Sequence, residues 1–281
     1  MKSLERWILG ACFVVSGATG LVLQVAWSKE LSYILGSTLY GSATVVAAFM
    51  AGLGMGSGLA ARFAGRLTRP VRSYAFIQFG IAACGALSIP VFRVTEPVFR
   101  FLFQTFAPAQ SAFLLARFSV VFFLILIPVT LMGMTLPIVV GAYARRKEKY
   151  GFEAGWIYGV NTLGAMCGTW LAGFFILPYF GLWKSCLIVG VTDAVVAAIA
   201  LWVDRRLGPI DDIRREPQQQ RSKRGRSLPS PLAPWSRKQW MLGALFAFSG
   251  AVAMVYELPL VTAMVSRREA SVSPASPTTD V

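Results

Sequence analysis

Seven stretches of this chain are apolar enough and long enough to cross a lipid bilayer, at about 7–27, 40–61, 73–92, 113–140, 154–177, 183–203 and 239–262. No other feature constrains the fold as strongly. Hydrocarbon offers no water to backbone N–H and C=O groups, so a spanning segment must be a helix or part of a closed barrel. Continuous apolar runs of about 20 residues match a helix crossing a core of roughly 30 Å. The expected class is therefore all-α, a polytopic membrane helical bundle. Its charge content, 14% Asp, Glu, Lys and Arg, is well under the roughly 25% of soluble domains. The apolar run before Cys12 is too short for a secretory h-region, so the first span is read as an uncleaved helix.

The basic residues fall unevenly between alternate loops. With the N-terminus in the cytoplasm, twenty Lys and Arg lie inside: Lys2, Arg6, Arg62, Arg66, Arg69, Arg72, Arg145, Arg146, Lys147, Lys149 and ten between Arg205 and Lys238. Six lie outside: Lys29, Arg93, Arg100, Lys184, Arg267 and Arg268. Arg117 lies within a span. This asymmetry predicts a multi-pass protein of a bacterial inner membrane with a cytoplasmic N-terminus. It also accounts for the net charge of +14 through contact with anionic lipid rather than nucleic acid.

Histidine is absent. That excludes His-ligated metal sites, Ser-His-Asp triads and imidazole switches. Cys12, Cys84, Cys167 and Cys186 form no CxxC pair and read as small packing residues. No metal and no cofactor is expected.

Near the end the chain restarts its opening phrase: "FVVSGATGLVLQV" from Phe13 is echoed by "FAFSGAVAMVYEL" from Phe246, with Gln24 opposite Glu257. The echo divides the chain into a six-helix unit at 1–203, a flexible basic cytoplasmic linker at 204–238, a seventh helix at 239–262 that opens a second repeat, and a disordered tail at 263–281. The polar tail makes a truncated reading frame one explanation of this length and a natural seven-span protein the other.

Polar and helix-breaking residues inside the spans are the site candidates. Arg117, Asp193 and Glu257 are ionisable groups at membrane depth, which is costly by at least a few kcal/mol. Gln24, Asn161 and Thr162 add amide and hydroxyl groups. Arg117 and Glu257 both fall toward the outer side and are candidates to pair; by depth, Asn161 or Thr162 is the expected partner of Asp193. Pro128 and Pro137, flanking Gly133 in "PVTLMGMTLP", predict a kinked or broken fourth span. Gly164 and Gly168 make a GxxxG contact, and Gly52, Gly54, Gly56 and Gly58 allow close helix approach. Arg62, Arg66 and Arg69 follow as cytoplasmic anchors.

"SGATGLVLQVAWSKEL", "STLYGSATVVAAFMAGLGMGSGLAARFAGRL", "PVTLMGMTLPIVV" and "YGVNTLGAMCGTWLAGFFILP" together resemble the membrane half of fused major facilitator/spermidine synthase proteins. The resemblance covers about 1–203 and resumes at 241–260. That family usually carries Tyr-Glu where Leu23 and Gln24 stand and Arg where Lys29 stands; Tyr256 and Glu257 restore the pair. It implies a major-facilitator-like six-helix repeat plus the first helix of a second. The family's soluble half resembles an aminopropyltransferase, a Rossmann-like domain taking decarboxylated S-adenosylmethionine and a polyamine. No segment here matches it, and the glycines of "GLGMGSG" lie within a membrane helix, away from any nucleotide phosphate. The expectation is thus a membrane module for a small solute, a polyamine among them, with no catalytic residues and not itself an enzyme. The alternatives are a membrane anchor for a separately encoded transferase and an inactive fragment. The expected partners are the bilayer and either a second copy, supplying the missing wall, or a soluble aminopropyltransferase-like protein; no nucleic acid is expected.

Overall fold

The computed structural model describes residues 3–36, 38–64, 67–106, 110–143 and 150–207, together with 241 and 245. The chain divides into two units, Met1–Lys223 and Arg224–Val281, and every element below belongs to the first. Residues 208–238 of the expected linker lie outside the described residues; 204–207 complete a helix. The seventh span, apart from Met241 and Leu245, and the tail also lie outside them.

The described residues form helices and no strand. They are α1 (Ser3–Leu35), α2 (Thr38–Phe63), α3 (Pro70–Val94), α4 (Glu96–Phe106), α5 (Gln110–Tyr143), α6 (Tyr150–Leu171), a π-helical segment (Ala172–Ile176) and α7 (Leu177–Leu207). Five helical stretches are long and apolar enough to cross a membrane: Leu4–Leu35, Leu39–Phe63, Pro70–Phe101, Leu115–Tyr143 and Gly151–Leu207.

The last stretch has 57 residues. Straight, it would reach about 85 Å at 1.5 Å per residue, nearly three bilayer cores. It turns back at Gly181, where φ is 71° and ψ 173°, a left-sided φ open to glycine without a Cβ clash. The Ser185 hydroxyl lies 2.6 Å from the Gly181 carbonyl and 3.2 Å from that of Ile176, so one side chain on the far side of the turn reaches carbonyls at and before it.

Two stacked apolar layers establish the reversal. One contains Leu9 and Phe13 of α1, Val71 of α3, Ile138 of α5, Ile157 of α6, and Val196 and Val203 of α7. The other contains Trp27 and Leu31 of α1, Val45 of α2, Ile89 of α3, Val121 of α5, Ala172, and Leu177 and Val189 of α7. The chain rises through α6 from the first layer to the second and descends through α7. Residues 151–207 therefore run through the bundle twice, once as α6 and once as α7.

The surface of the bundle is consistent with a lipid surrounding. Trp156, Leu163, Met166, Trp170 and Phe174 are exposed on α6 and the segment after it, while Thr19, Gln78, Thr135, Ser185 and Asp193 are buried. A soluble monomer rarely exposes so continuous an apolar surface. Backbones approach at glycines. A Cβ on Gly56 of α2 would stand 2.9 Å from Gly133 Cα and Met134 N of α5, and one on Gly168 of α6 would stand 2.6 Å from Ala18 Cα of α1. Gly52 and Gly164 lie one turn away on the same faces, whereas Gly54 and Gly58 face open space. The four-glycine run thus divides: the i, i+4 pair packs, and the alternate pair does not.

α5 runs as one continuous helix through Pro128 and Pro137, so of the two expected forms, kinked or broken, the broken one is absent. Pro137 has no N–H for the carbonyl four residues earlier, that of Gly133. Ser57 of α2 donates to that carbonyl at 3.0 Å, and the neighbouring helix replaces the lost bond. α4 was not expected. Its 11 residues are too few to span, and it adds Phe99 to the second layer.

Candidate functional site

Asp193 is the centre of the most buried polar group in the bundle. It sits on α7 with no exposed surface. Its Oδ1 accepts from Thr19 Oγ1 of α1 and from Gln78 Nε2 of α3, both at 2.7 Å. Gln78 Oε1 in turn accepts from Ser16 Oγ at 3.2 Å. The Thr19 hydroxyl also lies 3.0 Å from the Ser16 carbonyl. It has one proton, so it serves the carboxyl or the carbonyl at any moment. Asp193 Oδ2 is buried with no hydrogen-bond partner, and so is the Tyr74 hydroxyl of α3.

This arrangement corrects the expected partner of Asp193. Asn161 packs instead against Gly17 of α1. Thr162 is exposed and returns its hydroxyl to the Tyr158 carbonyl at 2.9 Å. The reason is lateral: α7 packs on α3 and α1, and α6 packs on α1, so equal depth does not bring α6 and α7 side chains together. Gln78, Thr19 and Ser16 were missed. The available signal was Gln78 itself, an amide in the middle of the third apolar span, where an interhelical acceptor is required.

The other candidates are dispersed. Arg117 is half-buried at the opposite end of the bundle from Arg6, and donates to the Ile34 carbonyl near the end of α1. Gln24 is half-buried on α1. Glu257, its echo and the expected partner of Arg117, lies outside the described residues. Pro128 is buried and Pro137 half-buried within the unbroken α5. Arg62 is exposed at the end of α2, and Arg66 lies outside the described residues. Arg69 lies 3.5 Å from Asp204 and fastens the start of α3 to the end of α7. At the same end Arg6 reaches both carboxylate oxygens of Glu153, at 2.6 and 2.5 Å, and receives the Tyr143 hydroxyl on its carbonyl. The two ion pairs tie α1 to α6 and α3 to α7. Arg6 and Arg69 are partly exposed, so each pair is a modest stabiliser that marks geometry more than strength.

With this geometry in hand, the comparisons with known proteins point in one direction. The chain is 27% identical over 197 residues to a protein named polyamine aminopropyltransferase 1 from Streptomyces coelicolor, covering 70% of this chain and 34% of that protein. It is 28% identical over 193 residues to the polyamine aminopropyltransferase of Oceanobacillus iheyensis, covering 66% and 33%. A polyamine aminopropyltransferase 2 from Ralstonia nicotianae is 23% identical over 192 residues, covering 68% and 34%. The chain thus spans about a third of the length of these curated relatives. No family model matches, and no solved structure matches.

These relatives overturn one expectation. The chain was expected not to be an enzyme, because no nucleotide-binding unit is legible in it. Several proteins named as enzymes are nevertheless similar to it over about two-thirds of its length, so the expectation does not stand. The inference from a missing motif failed because it weighed one missing part and not the shared part. A match of 197 residues cannot fit within the 74 residues after Leu207, so what is shared must include helices of this bundle.

Proposed function

We propose that this chain is the membrane-embedded region of a polyamine aminopropyltransferase-type enzyme. The observation that carries the reading is that a similarity to proteins of that name runs through helices built to face lipid. The proposal includes a cell-membrane location with the N-terminus in the cytoplasm, supported by the charge asymmetry. It also includes the major-facilitator-like plan, in which the six crossings form one repeat and 239–262 begins another. The return of the opening phrase at Phe246 supports that plan, as does the pairing of α1 with α6 and of α3 with α7. Of the polar residues inside the apolar spans, Gln24, Asn161, Thr162 and Glu257 are its candidate contacts for a small solute of the polyamine class. A second copy, or a soluble aminopropyltransferase-like partner, would complete the assembly.

The test is made in the native host. Membranes from cells with and without the coding sequence are assayed for transfer of an aminopropyl group from decarboxylated S-adenosylmethionine to putrescine. Lower membrane-associated transfer without the gene is expected. Unchanged transfer would refute the proposal.

A further inference from the structure

A cavity of about 600 Å³ opens at the end of the bundle opposite Arg6 and Arg69. α1, α3, α4 and α5 each contribute to it. Its charged lining is Arg93, Arg100 and Arg117 against a single acid, Glu30, and Phe99 and Phe113 supply aromatic wall. This is the end that the loop charges leave poor in Lys and Arg. Up to Leu207 only Lys29, Arg93, Arg100, Lys184 and the intramembrane Arg117 belong to it. Three of those five converge on one cavity. Anchoring to anionic lipid on the basic face does not explain them, because they are on the other face.

Arg117 is the informative member. An arginine inside a span requires compensation. Here one guanidinium nitrogen donates to the Ile34 carbonyl, and the group lies over the rings of Phe113 and Phe99, 5.1 and 5.5 Å from their centroids. Its Nε is buried with no acceptor. A carbonyl and two rings hold the plane of the fork, and among the described residues no carboxylate lies within ion-pair distance of it. A fixed guanidinium against apolar walls suits a bidentate oxyanion. The low-dielectric wall strengthens its attraction for one. The formal charge of the lining, three arginines against one glutamate, selects an anion and disfavours a polyamine. The volume lies within the roughly 300–1,000 Å³ of small-molecule sites.

We propose that this cavity binds a phosphate group, carried either by a lipid headgroup or by a soluble phosphate compound. Arg117 is the fixed ligand, and Arg93 and Arg100 close on the group from α3 and α4. The proposal does not depend on the polyamine reading of the chain.

The experiment uses the full chain in neutral detergent and follows thermal unfolding. One arm titrates inorganic phosphate against chloride at matched ionic strength. The other adds phosphatidylglycerol against phosphatidylcholine. The same arms are run on Arg93→Gln/Arg100→Gln, whose residues are exposed and whose fold is expected to survive, and on Arg117→Lys. A rise in the unfolding midpoint with phosphate, with phosphatidylglycerol, or with both is expected for wild type. Response to phosphatidylglycerol alone assigns the group to a lipid headgroup; response to inorganic phosphate assigns it to a soluble source. The concentration needed should increase about tenfold for each arginine lost. No response in wild type, or equal responses in wild type and the double variant, would overturn the site.

Discussion

Replacing Asp193 by alanine removes the acceptor shared by Thr19 and Gln78, and the structure sets what each loses. Thr19 Oγ1 already lies 3.0 Å from the Ser16 carbonyl. It can turn its proton there at little cost. Gln78 Nε2 has no such alternative acceptor among the described residues, and Gln78 is fully buried. A buried donor left without an acceptor costs about 1–3 kcal/mol. Asp193→Asn keeps an oxygen where Oδ1 accepts both bonds. It should cost under about 1 kcal/mol, the scale of an interhelical hydrogen bond in a membrane. The expected order of stability is wild type close to Asn, with Ala lower by about 1–3 kcal/mol. Reversible unfolding in mixed micelles, followed by the tryptophan signal, measures it. Gln78→Leu alone should be destabilising, and in combination with Asp193→Ala much less than additive, with a coupling of about 0.5–3 kcal/mol. An Ala variant as stable as wild type, or an Asn variant as unstable as Ala, would show that the 2.7 Å contacts do not carry this energy.

Other outcomes are expected from single positions. Gly56→Leu should abolish the monodisperse detergent-solubilised protein, since even a Cβ there crowds the α5 backbone; Gly58→Leu, whose Cβ meets nothing within 4 Å, should leave it unchanged by size-exclusion chromatography. Gly181→Ala should lower stability by roughly 1–2 kcal/mol, read as a shifted unfolding midpoint, because φ is 71° there. With the N-terminus cytoplasmic, a cysteine at Lys184 should react with an impermeant maleimide in intact cells and one at Arg62 should not; the reverse pattern would invert the topology. Putrescine or spermidine should raise the thermal midpoint of the purified chain equally in wild type and Asp193→Asn; loss of the shift in Asp193→Asn would make that carboxyl a ligand contact.

The long helices up to Leu207 were legible because each is a long apolar run, and the break at Gly181 falls between the expected spans ending at 177 and beginning at 183. Helix partnership was not legible. In water, an apolar stripe shows which face of a helix packs. In lipid both faces are apolar, as Trp170 and Phe174 outside and Phe13 and Trp27 inside illustrate. The packing faces are marked instead by small residues and by polar pairs. The first signal was readable in Gly164 and Gly168, and half-readable in the four-glycine run. The second was not, because a polar residue announces that it needs a partner without naming one. Asp193 therefore went to Asn161 or Thr162 by depth, and its partners were Thr19 and Gln78. The surroundings of Pro137 were not legible for a related reason: the Gly133 carbonyl it leaves without an N–H is served by Ser57, a residue on another helix.

The two polar features of the bundle make different demands on a ligand. The cavity at the Arg117 end carries an excess of positive charge and is open to small anions. The Asp193 group has no exposed surface and its side-chain donors are neutral. It lies between the two apolar layers, with Phe13 and Val196 in one and Trp27 and Val189 in the other. An extended polycation could reach it only by displacing well-packed side chains, each displacement costing on the order of a kcal/mol or more. A bond made through one carboxyl oxygen, with the second left bare, has a simpler use. It joins α7 to both α1 and α3 at a depth where glycines set the distance between backbones and no apolar periodicity sets their register. A polar contact that specifies which helices meet need not contribute much net stability. This reading assigns Asp193 to assembly of the bundle, and leaves recognition of a polyamine by the chain to be sought at the other candidate polar residues.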